Sequence, residues 1–136
     1  MESFNLKIVT PEKVYAEREI IVLVFKSSNG EFSLYAHHTD MISDVKISII
    51  SIIDKDNHLD EYAVGGGVLY FNHDSNEVKL VVNSIESKDE IDEQRALEAK
   101  VNAEKLMNGK LERRQYIEIE RALQRAINRL TLKHRK

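Results

Sequence analysis

Three arginines, Arg121, Arg125 and Arg129, stand four residues apart near the end of the chain. On a helix that spacing puts them in one row, and a row of guanidinium forks suits carboxylate or phosphate. A solvated face, with Glu118 as an i,i+3 partner of Arg121, accounts for the same row. Upstream, Asp92 and Arg95 are three apart. They can pair with each other, or face the arginines across a hairpin. In the second case Asp92 would hold an amine or hydroxyl while the arginines hold phosphate. The other clusters carry less chemistry. His37, His38 and Asp40 resemble metal ligands, but neighbours on a strand point to opposite faces, so no metal is expected. His58 and His73 fall in predicted turns and His134 at a frayed end, where surface residence is the default. Gly65-Gly66-Gly67 precedes neither a helix nor a Lys-Ser/Thr pair, so it is a weak P-loop. Inside a strand pattern it marks a bulge or the close approach of another backbone. No Ser-His-Asp arrangement is legible, and no catalytic residue is assigned.

These residues hang on two kinds of element, and the change comes at Ser84. Before it, Phe4, Leu6 and Ile8 alternate with Asn5, Lys7 and Val9 as in a half-buried strand. Val14 to Ala16 adds a short second run. Glu19 to Lys26 is apolar on both faces and suits a strand covered on both sides. Ser27-Ser28-Asn29-Gly30 is a hairpin turn. Glu31–Tyr35, Val45–Ile53, Glu61–Val64, Val68–Phe71 and Glu77–Asn83 complete a set at sandwich or barrel spacing. After Ser84 there is no proline and one glycine, Gly109. Ser87 and Glu90 fit a capping box that opens a helix. Ile91, Ala96, Ala99, Ala103 and Leu106 form a thin apolar stripe, and Asn108-Gly109 ends it. A second helix is predicted from about Leu111 to Leu132, with Ile119, Leu123, Ala126 and Leu130 on one face. The short connection implies an antiparallel hairpin. That arm has too little apolar surface for a core of its own and is expected to dock on something.

Charge is divided along the chain. Residues 1–85 hold 7 Lys/Arg against 13 Asp/Glu, residues 86–109 hold 4 against 7, and residues 110–136 hold 9 against 3. The last segment is a local cation that could seek an acidic partner or a phosphate. There is no cysteine, which excludes disulfides, thiolate metal sites and a Cys nucleophile. No signal peptide is expected at the N-terminus. The run Val45 to Ile53 is far short of the roughly 20 residues of a spanning helix.

Several stretches, in order and spacing, resemble the epsilon subunit of F-type ATP synthases over nearly the whole chain. They are Val9-Thr10-Pro11 with Val14-Tyr15, Gly30-Glu31-Phe32 leading to His38, Tyr62 to Gly67 with Leu69, Ile91 to Ala96, and Ala122 to Leu130. The resemblance implies a β + α fold: an N-terminal β-sandwich of about ten strands, residues 1–85, then an antiparallel two-helix hairpin, residues 86–136. It implies a non-catalytic rotor subunit of the central stalk, whose sandwich binds the gamma subunit and the c-ring. The hairpin would be a regulatory arm that extends into the alpha/beta catalytic head and hinders ATP hydrolysis. The membrane would be met only through the c-ring, at the cytoplasmic face of a bacterial cell membrane. Glu31 and His38 match the ring-facing loop, although Tyr35-Ala36-His37 replaces the family's Leu/Tyr-Pro-Gly before that His. Glu86, Ile91, Asp92, Arg95, Ala96, Arg125 and Arg129 match positions that bind ATP in some members. Asn102 stands where strong binders carry a further arginine. No cofactor is required, and regulatory ATP stays open.

The competing reading is a stand-alone nucleotide- or nucleic-acid-binding module built on the basic helix. Base stacking wants aromatics among the basic residues. Past residue 86 there is only Tyr116, so no nucleic-acid partner is expected.

Overall fold

A computed structural model describes residues 1–135. Eight strands precede two helices: β1 (Phe4–Val9), β2 (Val14–Ile20), β3 (Val22–Ser27), β4 (Gly30–Leu34), β5 (Met41–Ile53), β6 (Leu59–Asn72), β7 (Glu77–Val82), β8 (Ile85–Ser87), α1 (Glu93–Met107) and α2 (Arg113–Lys133). The strands run in the order β2-β1-β7-β6-β5-β3-β4, with β8 also on β6. β1 meets β7 in parallel, and the other pairs are antiparallel.

The expected ten strands become eight because β5 and β6 each serve both layers of the sandwich. The outer half of β6, Gly67 to Asn72, pairs with β7, and its inner half, Tyr62 to Val64, pairs with β8. Cross-strand pairing of β5 with β6 lapses only at Lys46 and Gly66. There Gly66 takes φ +91°, a conformation that is easy only without a Cβ. Counting each half separately restores ten. The predicted strand Glu19 to Lys26 is corrected in the same way. It breaks at Ile21, so that β2 lies on β1 while β3 lies between β4 and β5. A run that crosses between layers is apolar on both faces for that reason, not because it is a doubly covered central strand.

The alternation read in β1 holds: Phe4, Leu6 and Ile8 are buried. They join Phe25, Ile50 and Leu80 among the side chains closed between the layers. On the outside of the inner layer, Ile49 and Ala63 form a second, smaller apolar patch with Ile91 and Leu132 of the arm. The arm therefore docks on the sandwich.

α1 begins later than its capping box implies. Ser87 and Glu90 do exchange the reciprocal bonds, Ser87 N–H to the Glu90 carboxylate at 2.8 Å and Glu90 N–H to Ser87 Oγ at 3.3 Å. They close a turn ahead of the helix. The helix cap is Asp92, whose Oδ1 accepts the Arg95 amide at 3.0 Å. His134 Nε2 sits 2.5 Å from Glu93 Oε1, so the end of α2 lies beside the start of α1, antiparallel as expected. Ala96, Ala103 and Ala126 are buried along the seam, while Ala99 and Leu106 of the predicted stripe are exposed. The seam is narrower than the stripe because it follows residues seven apart, two turns of the helix.

Candidate functional site: a charged cleft between sandwich and hairpin

β1, β2 and the Asn83–Glu90 segment bring the sandwich's polar side chains up to the start of α1. Between them lies a cleft of about 550 Å³. Glu86, Asp92, Arg95, Ala96 and Arg129 line it from the arm and its lead-in, and Thr10, Lys13, Tyr15 and Ser84 line it from the sandwich. Five of the seven residues read as ATP positions thus share one cleft. Ile91 is buried in the docking patch beside them. Arg125 is elsewhere: it lines a neighbouring cavity with Arg121, and its Nε lies about a van der Waals contact from where a Cβ on Gly65 would stand, 3.5 Å.

The charges in the cleft are partly committed. Arg129 Nε donates to Glu86 Oε1 at 2.5 Å, both side chains about 30% exposed. Asp92 is committed to the cap of α1 rather than to an ion pair with Arg95. Glu118 makes no ion pair with Arg121 among the described residues, while both side chains are exposed, as on a solvated face.

Tyr15 is the site residue that short-range sequence reasoning misses. Its hydroxyl donates to the Glu90 carboxylate, 75 residues away, and its ring stands edge-on to Tyr62 at 5.9 Å. The Tyr15–Glu90 bond holds the Glu90 carboxyl below its ordinary 4.5, with further help from Ser87. Burial first, and Glu90 second, push the Tyr15 hydroxyl up. A carboxyl depressed in the folded state contributes stability above its unfolded value and loses it as pH falls through the folded one. The lead-in should therefore loosen below about pH 4.5. Tyr15→Phe should flatten that acid limb and weaken docking at neutral pH by on the order of 1 kcal/mol or less. Amide exchange at Lys88–Ile91 against pH reads both effects.

Glu31 and His38 lie on β4 and the loop after it. Glu31 is exposed opposite Lys26 on the sheet edge. His38 is half-buried against Phe71, ring centroids 5.6 Å apart. The loop keeps a glycine-like bend without glycine, since His37 takes φ +62°. Its N–H donates to Asn76 Oδ1 at 2.7 Å, and Asn76 in turn donates to Ser3 O at 3.0 Å. Asp40 accepts the His73 amide at 2.8 Å. These bonds hold a conformation that costs a Cβ-bearing residue roughly 1–2 kcal/mol. His37→Gly is expected to be neutral to about 1 kcal/mol stabilising, and His37→Val to cost about 2 kcal/mol, in thermal denaturation.

Asp54, Asp56 and His58 bring their ligand atoms within 4.8 Å, but Asp54 is already occupied. Its Oδ1 takes the Asp56 and His58 amides, and its Oδ2 faces Arg18. That cluster is a turn closed on itself.

No helix is long and apolar enough to cross a membrane among the described residues. Two family models match end to end: the ATP synthase delta/epsilon chain β-sandwich domain over residues 3–88, and the delta/epsilon chain long α-helix domain over residues 89–133. The ATP synthase epsilon chain of Bacillus cereus is 38% identical over 136 residues, 100% of both chains. That of Caldicellulosiruptor saccharolyticus is 33% identical over 132 residues, 97% of this chain and 94% of its own. Among solved structures, a chain of the Euglena gracilis mitochondrial ATP synthase superposes with a TM-score of 0.74 at 18% identity, covering 90% of this chain and 76% of its own. One from the central stalk and c-ring of the Tetrahymena thermophila enzyme gives 0.63 at 11%, covering 97% of each. At those identities the superpositions speak for the fold, and the sequence matches carry the family. The chain belongs to the epsilon chain family of F-type ATP synthases, non-catalytic subunits of the rotor.

Proposed function

We propose that this chain is a regulated coupling element of a bacterial enzyme, peripheral on the cytoplasmic face of the membrane. Residues 1–85 grip the gamma subunit and rest on the c-ring, with Glu31 and His38 facing the ring. Residues 86–136 form the arm, which restrains ATP hydrolysis when it leaves the sandwich and reaches the alpha/beta head.

One observation supports a ligand-controlled arm. The cleft holding Glu86, Asp92, Arg95, Ala96 and Arg129 is walled by both the sandwich and the hairpin. A ligand that needs both walls binds only the docked form and shifts the balance toward it by RT ln(1 + [L]/Kd). ATP fits that role, with Arg129 and Arg95 toward its phosphates and Ile91 beneath the site. Arg125 would have to turn from its own cavity to join them. With Asn102 in place of a cation as well, binding should be measurable but modest.

Calorimetric titration of ATP into the full chain should give heat that Arg95→Ala, a change confined to the Asp92 cleft, loses; identical heats would contradict ATP sensing there. In the reassembled enzyme, ending the chain before Ser87 should raise ATP hydrolysis, and unchanged activity would remove the inhibitory role.

A further inference from the structure

On the other side of α2 lies a second cavity, about 710 Å³, between that helix and the place where β5 and β6 change layers. Lys46, Arg121 and Arg125 line it, together with Gly65 to Gly67, Gln124 and Asn128, and its lining contains no carboxylate. Among the described residues, none of the three cations lies within 4 Å of an acidic group. In a chain with 23 Asp/Glu against 20 Lys/Arg, three such cations around one concavity are an uncompensated positive site.

From this we infer that the cavity binds a phosphate oxyanion. Two guanidinium forks and an ammonium supply charge-assisted donors. Lys46 comes from the sandwich and both arginines from the arm, so a phosphate seated between them bridges the two bodies and favours docking. The site is separate from the Asp92 cleft: Lys46 and Arg121 belong to it alone, and they hold the oxyanion even where Arg125 turns toward that cleft. The oxyanion can be free phosphate or the phosphate end of a nucleotide.

The test uses the full chain labelled with ¹⁵N, titrated with inorganic phosphate or ATP at ionic strength matched with sodium chloride. Phosphate should shift the amides of Gly65–Gly67 and Asn83 saturably. Lys46→Ala with Arg121→Ala should weaken that binding at least tenfold, and both residues are exposed, so the fold is not at risk. Asp92→Ala should leave it unchanged. If ATP, but not free phosphate, moves these amides in Asp92→Ala, the nucleotide is the source; if free phosphate suffices, it is. Shifts no larger than those of chloride, or a double variant that binds like the wild type, would overturn the proposal.

Discussion

Gly67→Ala should abolish the folded sandwich or lower its melting temperature by roughly 10–20 °C. An ideal Cβ at Gly67 would stand 1.9 Å from Val81 O and 2.8 Å from Val82 Cα. Both obstacles are backbone, so no rotamer change can relieve the clash. Gly67 pairs with Val82 where β7 joins β6, and moving β7 aside breaks the ladder at its start. Such an overpacked site costs on the order of 3–4 kcal/mol, a large share of the 5–15 kcal/mol that a domain holds. Gly66→Ala is the useful comparison. Its nearest neighbour would be 3.5 Å away, and only its φ of +91° opposes a side chain, so its cost should be nearer 1–2 kcal/mol. Circular dichroism melts of the two variants rank them, and a Gly67→Ala protein as stable as Gly66→Ala would show that β7 is free to shift.

The close backbone approach at the glycine triplet was legible because three residues without side chains inside a β-branched run have few other uses. What crosses them was not. Asn83 donates to Gly66 O and Gly65 to Ser84 O, both at 2.9 Å, and those partners lie some 17 to 19 residues downstream in the chain. Strand alternation revealed β1, and the Asn29-Gly30 pair revealed the hairpin turn, since both signals are local. Alternation could not give the break at Ile21, because a strand that changes layers and a strand covered on both sides carry the same apolar pattern. The arm's two helices were legible from composition and period. Their seam was not, because Ala99 is chemically identical to the buried Ala96 and Ala103, and only the partner's position tells them apart. Helical spacing left open that Asp92 and Arg95 face the arginine row across a hairpin, but Glu86 entered through family resemblance alone. Glu86 sits on a strand and Arg129 on a helix 43 residues later, beyond any periodicity.

Leu132→Ala should release the arm while the sandwich stays folded. Leu132 is 1% exposed and meets Ile91 and Ala63, at 3% and 4%. It is the largest α2 side chain in that patch, and truncating it forfeits about 2–4 kcal/mol. The other fasteners are weaker. Asn128 Nδ2 donates to Ser48 O at 2.7 Å, and Arg135 pairs with Glu61 and Arg129 with Glu86 at a partly exposed surface, each pair contributing on the order of 1 kcal/mol or less. A docking energy of a few kcal/mol would then lose about half its value, and the docked fraction would fall steeply. The chain has no cysteine, so dyes on Ser75→Cys and Gln124→Cys report the distance between sandwich and arm by energy transfer. Leu97→Ala, on a residue already 44% exposed, should leave that distance unchanged. Acid adds a second lever, because protonating Glu90 frees the lead-in that Tyr15 holds. The two changes act side by side on one docked surface, because Leu132 packs on Ile91, the neighbour of Glu90, so Leu132→Ala should raise the pH at which the arm leaves. An arm still docked in Leu132→Ala at neutral pH would mean that its charged contacts, not the apolar patch, hold it down.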